Sequence, residues 1–328
     1  MLLAGDIGGT KTLLGLFERT PADNGRPKRL TVHAFRTLDF RALPEMIGAF
    51  FRDASVKPDA VSAACFGVAG PVIDDAATLT NVPWGIHAPS VAATFGFRSV
   101  KLLNDLEAMA YSVLVVTDSE VAVLQQGRPR PDGNIAIIAA GTGLGEALIH
   151  TFGGRRIPSP SEGGHADFAA RTEREFALVR DLTRRYGRAD VERVVSGRGL
   201  VNIHRVNHAS SPCAIVTNLD DQDAPAAISL AALDRRCAAC VETLDTFVEA
   251  YGAESGNLAL RSVSTGGLFI SGGIAPKILP ALTTGAFMRA FLSKPPLEAL
   301  LQAVPVKVIL NAEAGLLGAA VFASRFLS

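Results

Sequence analysis

Leu103-Asn104-Asp105-Leu106-Glu107 sets an amide and a carboxylate side by side where an apolar strand pattern gives way to a helical one. A carboxylate at such a junction lies at the edge of its lobe, where clefts form. The same spacing is that of a helix N-terminal cap, with Asn104 as the cap and Glu107 three residues on. Capping and catalysis are compatible here. A second concentration of polar groups is Ser161-Glu162-Gly163-Gly164-His165, and Glu192 opens the run Glu192-Arg193-Val194-Val195-Ser196-Gly197. Carboxylates and an imidazole that converge suit a polyhydroxylated ligand, because acceptors and donors can each hold a hydroxyl; a solvated loop with an incidental Glu/His pair is the plainer alternative.

Three glycine-rich turns follow strand patterns: Gly8-Gly9-Thr10, Gly141-Thr142-Gly143-Leu144-Gly145 and Gly272-Gly273. Glycine lets backbone N–H groups approach a phosphate, and consecutive N–H groups in a turn form an anion-holding concavity. Taken singly, each turn also reads as a tight hairpin connection. Neither the P-loop nor the GxGxxG fingerprint is met. His204 and His208 are four apart on a helical pattern, but Arg205 stands where HExxH needs Glu. They read as helix-surface histidines. Cys237 and Cys240 form a CxxC inside a continuous helical apolar spacing with no second CxxC, and read as buried helix cysteines. No metal site is expected from these four residues.

The elements that must position these groups are legible as a pattern. Residues 1–17 read as strand, glycine turn and strand, and residues 134–150 repeat that unit. Two copies so far apart point to one fold used twice, once per lobe, rather than to a solenoid. Between them lie a polar loop at 21–28, a helix at 43–52, a buried strand at 60–68, a strand at 100–103, a helix at 106–116 and a turn-rich connector at 125–133. Residues 173–252 read as largely helical, 268–274 as a strand and 312–326 as a C-terminal helix. Strands and helices mixed in both halves indicate α/β lobes, and 328 residues suffice for two.

Composition excludes several classes. The 32 basic and 32 acidic residues balance, so no surface is built to neutralise nucleic acid or an anionic membrane. Hydrophobic residues are 48% and charged residues 20%, ordinary for a folded globular chain. The N-terminus enters a strand pattern without an export signal, and the uncharged window 262–276 is too short and too rich in glycine for a membrane span. A cytoplasmic protein is expected. Four cysteines do not make a disulfide framework in a chain this long.

Taken in order, GDIGGTKT, GVAGPV, LTNVPW, LLNDLEA, AAGTGLGEA, SEGGHADFA, ERVVSGRGLVNI, ISGGIAPKI and NAEAGLLGAA resemble the bacterial hexokinase-type glucokinase family over nearly the whole chain. The ordered set is far more specific than any one motif. The resemblance implies a two-lobe actin-like ATPase fold of the ribonuclease H-like type, with nucleotide and sugar in the interlobe cleft. Residues 1–109 with 312–328 would form the small domain and 110–311 the large one. It implies transfer of the γ-phosphate of ATP, with Mg²⁺, to the 6-hydroxyl of glucose. Asp105 would be the general base; Asn104, Asp105, Glu162, His165 and Glu192 would bind the sugar. Gly5, Asp6, Ile7, Gly8, Gly9 and Thr10 would hold phosphates, as would Gly141, Thr142, Gly143 and Gly145, with Gly272 and Gly273 near the adenosine. A homodimer is the fold-level expectation.

Two residues depart from the family pattern. Leu106 replaces a common Phe after Asn-Asp, a change of packing. Glu146 directly follows the second glycine turn where a small or apolar residue is usual, so its carboxylate either points away from the polyphosphate or helps hold Mg²⁺. The rivals are a ROK-type kinase of another hexose or N-acetyl sugar, and a non-catalytic sugar-responsive regulator of the same fold. The first carries clustered Cys soon after its ExGH segment, whereas no Cys occurs here between His165 and Cys213. The second needs a DNA-binding module, for which the sequence leaves no room before Asp6.

Overall fold

β1 (Leu2–Ile7) and β2 (Lys11–Glu18) pair antiparallel around the first glycine turn, from Leu2↔Phe17 to Ile7↔Thr12. The computed structural model describes residues 1–20, 25–79, 82–209 and 213–326. Within them the chain divides into two units, Met1–Glu120 with Asn311–Ser328 and Val121–Leu310. The boundary expected after residue 109 falls inside a helix, Asp105–Val113. Residues 21–24 of the expected loop, and Thr80 and Asn81 of the LTNVPW segment, lie outside the described residues.

In the first unit, β3 (Lys28–Arg36) extends the hairpin, and β4 (Ala63–Val68) joins β1 in parallel. Short strands β5 (Val72–Ile73), β6 (Ala76–Thr78) and β7 (Gly85–His87) form a separate small sheet. β8 (Ser99–Asn104) then completes the main sheet in the order β3-β2-β1-β4-β8. β1 and β4 are apolar along nearly their whole length because both faces of the sheet are covered. Leu3 and Ile7 face the cluster built by helix α1 (Leu43–Asp53), whose Leu43, Met46, Ile47, Phe50 and Phe51 repeat at helical spacing. Leu2 and Ala4 point the other way, into the cluster formed with the C-terminal helix (Ala314–Phe326). Helix α2 (Ala88–Phe95) precedes β8 and helix α3 (Asp105–Val113) follows it. Gly318 of the C-terminal helix lies so close to α3 that a β-carbon there would sit 1.7 Å from the Ala108 carbonyl oxygen.

The second unit repeats the scheme. β9 (Val121–Gln125), β10 (Ile135–Ala140), β11 (Leu144–Phe152), β12 (Arg155–Ser161), β13 (Gly267–Ser271) and β14 (Val306–Ile309) order as β12-β11-β10-β13-β14-β9. β10 pairs antiparallel with β11 and parallel with β13, as β1 does with β2 and β4. Helices α4 (Glu173–Tyr186), α5 (Gly197–Asn207), α6 (Ala224–Leu233) and α7 (Ala238–Ser262) follow β12 in the chain. α7 is buried nearly all round, and Gly252 lets the backbone at Phe287 approach to where a β-carbon would clash at 2.2 Å. Among the described residues no helix is long and apolar enough to cross a membrane.

Several expectations are corrected. The CxxC does not lie within one continuous helix: α6 stops at Leu233, Arg235 takes a left-handed φ of 53°, and Cys237 becomes the N-cap of α7, its sulfur accepting from the Cys240 amide. His204 is not a surface residue; it is 1% exposed, and burial together with the neighbouring His208 pushes its pKa down to about 4. β12 escaped the sequence pattern because Pro158 and Pro160 argue against a strand, and both are tolerated there because β12 is an edge strand.

Candidate functional site

In the first unit the carboxyl ends of three parallel strands lie in register, with Ile7 opposite Val68 and Val68 opposite Asn104. Loops at that edge of a parallel sheet are where α/β folds place ligands. The first is Gly8-Gly9-Thr10, held by the Gly8 amide to the Lys11 carbonyl at 3.1 Å and by the Thr37 hydroxyl to the Gly8 carbonyl at 2.7 Å. The last is Asn104-Asp105. Asn104 is the N-cap of α3: its Oδ1 accepts from the Leu106 amide at 2.9 Å, and its Nδ2 donates to the Gly70 carbonyl at 3.2 Å. Asp105 Oδ1 also accepts from the Leu106 amide at 2.9 Å. The cap read from spacing is present, and it leaves the catalytic reading open, since Asn104 alone suffices to cap.

Between these loops sits Asp6, whose pKa is pushed up to about 6 by burial first and then by the charge of Asp105, with Lys11 opposing. Two carboxylates therefore feel one another at this edge. A β-carbon on Gly315, in the first turn of the C-terminal helix, would lie 2.8 Å from Asp6 Oδ2, and one on Gly67 would lie 3.9 Å from the Asp105 Cα. Of the two, Gly67 is the more constrained, because a β-carbon there would also lie 2.8 Å from the Ala108 β-carbon on α3. Each stands in a segment already quoted for its resemblance, GVAGPV and NAEAGLLGAA.

The second unit gathers the remaining groups. The turn after β10 closes with the Gly141 amide on the Gly143 carbonyl at 2.8 Å, and the Gly197 amide at the start of α5 donates to the Gly141 carbonyl at 2.8 Å. Glu192 Oε2 accepts from the Leu144 amide at 2.9 Å, and the Glu192 amide donates to the Gly164 carbonyl at 2.8 Å. Gly164 in turn packs on the Leu144 carbonyl, which a β-carbon would meet at 2.3 Å. Glu162 and His165 are exposed, with Oε2 and Nε2 3.9 Å apart. Gly272, at φ 85°, lies against the Ala140 carbonyl, 2.3 Å from where its β-carbon would be. Gly141, Gly143, Glu162, Gly164, His165, Glu192 and Gly272 are thus one connected constellation, although they span more than a hundred residues of sequence.

Of the two expected alternatives for Glu146, a carboxylate that points away from the polyphosphate or one that helps hold Mg²⁺, the structure has the first. Its side chain is fully buried, with Oε2 3.5 Å from an Arg261 guanidinium nitrogen on α7. Arg261 also pairs with Glu254. The carboxylate lies directly beneath Gly163, where a β-carbon would come within 2.1 Å of Oε2. Glu146 points away from the glycine turn and fills the space under the Glu162–His165 segment.

Two α/β units, each opening on an antiparallel glycine hairpin that parallel strands continue, make this an actin-like sugar-kinase fold. The glucokinase family model matches residues 3–326. The glucokinase of Nostoc punctiforme is 40% identical over 343 residues, covering 99% of each chain. A glucokinase structure from an Antarctic psychrotroph is 28% identical at a TM-score of 0.86, covering 98% of this chain and 97% of that one. The glucokinase of Balamuthia mandrillaris, solved in complex with glucose, has the same fold at 21% identity and a TM-score of 0.76, over 99% and 93%. The chain belongs to the glucokinase family.

Proposed function

We propose that this chain is an ATP-dependent glucose kinase, moving the γ-phosphate of ATP to the 6-hydroxyl of glucose, with Asp105 as general base. The observation that carries the base assignment is Asp105 at the carboxyl edge of the first sheet, at the start of α3 and next to Asn104, which lies in register with Val68 and, through it, with Ile7 at the end of β1. Phosphoryl transfer through a loose transition state needs positioning, charge neutralisation and a group to take the alcohol proton. Asp105 takes that proton as the hydroxyl oxygen attacks phosphorus and ADP leaves in line. Asn104, fixed by the Gly70 carbonyl, holds a neighbouring sugar hydroxyl, as do Glu162, His165 and Glu192 from the second unit.

Main-chain N–H groups of the two turns, Gly9 and Thr10 after β1 and Thr142 and Gly143 after β10, receive phosphate oxygens; Gly5, Asp6, Ile7, Gly8, Gly141 and Gly145 shape and position those turns, with Gly272 and Gly273 beside the adenosine. Asp6, a buried carboxylate at the end of β1 beside the first glycine turn, is a hard oxygen donor that fits Mg²⁺, an ion held by one or two carboxylates together with nucleotide phosphates. Mg²⁺ would neutralise charge on the β- and γ-phosphates. The balanced charge of the chain fits a cytoplasmic enzyme of small soluble substrates, and a homodimer is the assembly we propose. ADP release measured against glucose, mannose, glucosamine and fructose, with and without Mg²⁺, tests the reading. Turnover restricted to glucose and dependent on the ion is expected; preference for another hexose would displace it.

A further inference from the structure

His204 and His208 on α5, Cys213 beyond it and Cys240 in the first turn of α7 bring four soft donor atoms within 4.8 Å of one another. The Sγ atoms of Cys213 and Cys240 are 3.9 Å apart, and Cys240 Sγ lies 3.9 Å from His204 Nδ1. The two imidazole centroids are 4.2 Å apart. A tetrahedral zinc with Zn–S of about 2.3 Å and Zn–N of about 2.0 Å has ligand-to-ligand edges of about 3.3 to 3.8 Å, so these atoms already stand near the vertices. The structure assigns this cluster as a zinc site, with His204, His208, Cys213 and Cys240 as its ligands.

Three further observations support it. His204, Cys213 and Cys240 are 1%, 7% and 0% exposed, so their donor atoms converge in a place shielded from bulk water. The Cys213 sulfur accepts a backbone N–H bond of the kind that stabilises a thiolate, from the Val216 amide at 3.4 Å. Cys237 Sγ also stands 3.4 Å from His208 Nε2, which makes it a neighbour able to orient that ligand. Two thiolates and two imidazoles in a closed set select zinc over hard cations and leave no open coordination position, so the ion is structural. It would tie the C-terminal end of α5 to the start of α7. The other end of α5 donates the Gly197 amide to the second glycine turn, so the staple also steadies that turn. His165, in the Glu162–His165 segment, is not among the ligands.

The test uses the full chain without a histidine tag, expressed with added zinc and freed of loose metal by gel filtration. Elemental analysis should give close to one zinc per chain. Removal with a chelator should lower Tm, and Co²⁺ added to the stripped protein should show the visible d–d bands and thiolate charge transfer of tetrahedral cobalt. Cys240→Ser and His204→Gln should each retain about a tenth or less of the zinc. Cys237→Ser should weaken binding about 10- to 100-fold without abolishing it, as loss of an orienting neighbour does. His150→Gln, exposed on β11, should keep the full stoichiometry. The cobalt spectrum is read on the wild-type chain, so it stands even where a variant fails to fold. Metal-free wild-type protein that gives no tetrahedral cobalt spectrum would overturn the site, as would an intact mass two hydrogens light from a Cys213–Cys240 disulfide. A chain that keeps zinc in His204→Gln but loses it in Cys237→Ser would overturn the ligand set.

Discussion

Glu146 Oε2 faces the guanidinium of Arg261 at 3.5 Å and carries Gly163 on its other side, so one buried carboxylate joins strand β11, helix α7 and the turn that presents Glu162 and His165. Burial first, and then the charge of Glu254, push its pKa up to about 7, with Arg261 opposing. A folded-state pKa above the ordinary carboxylate value stabilises the fold below about pH 4.5, and that contribution is lost as the pH rises through about 7. Glu146→Gln should therefore raise Tm by about 2 to 4 °C at pH 8, corresponding to about 1 kcal/mol, and change it little at pH 5. Thermal unfolding at the two pH values decides; an equal shift at both would mean that ionisation of Glu146 is not the cause.

Asp105→Asn should leave Tm nearly unchanged, because Asn104 caps α3 and the amide oxygen of the substituted side chain can still accept from the Leu106 amide. Loss of a general base costs about 10² to 10⁴ in rate, so kcat should fall by that much with glucose KM close to wild type. A folded variant with wild-type kcat would remove Asp105 from proton transfer.

The sugar-binding assignments separate by their second attachments. Glu162 is exposed and its carboxylate has no hydrogen bond to the glycine turn among the described residues, so Glu162→Gln should raise glucose KM by about 5- to 150-fold, the equivalent of about 1 to 3 kcal/mol, with ATP KM unchanged. Glu192 also holds the Leu144 amide, so Glu192→Ala should raise both KM values and lower stability by about 1 to 3 kcal/mol. Steady-state kinetics with each substrate varied in turn reads the difference. A Glu192→Ala effect confined to glucose would show that its bond to Leu144 is dispensable.

Gly272 combines a left-handed φ of 85° with the Ala140 carbonyl 2.3 Å from its would-be β-carbon. Gly272→Ala must shift that turn or strain it, at a cost of about 1 to 3 kcal/mol. ATP KM should rise while glucose binding measured without nucleotide stays the same. Denaturant unfolding and calorimetric glucose titration check the two halves of that statement.

What the sequence determined by itself is what depends on short spacing. The glycine hairpins at 8–10 and 141–145, the capped junction at Asn104-Asp105, each copy of the internal repeat and the helix at 43–52 are written within a window of twenty residues or fewer, where turn chemistry and periodicity decide. The tertiary structure decided whatever depends on strand register and helix packing. Glu146 could be assigned only once pairing with Ile138 and Ser161 fixed its face and α7 brought Arg261 to it, 115 residues away. Glu192 became part of the glycine turn through a bond spanning 48 residues. His204 and Cys240 read as unrelated helix residues because neither HxxxH nor CxxC alone has the spacing of a metal site. They meet only where the chain breaks after Leu233, restarts at Cys237 and packs the first turn of α7 against the end of α5, a geometry set by burial of apolar helix faces that no local pattern encodes.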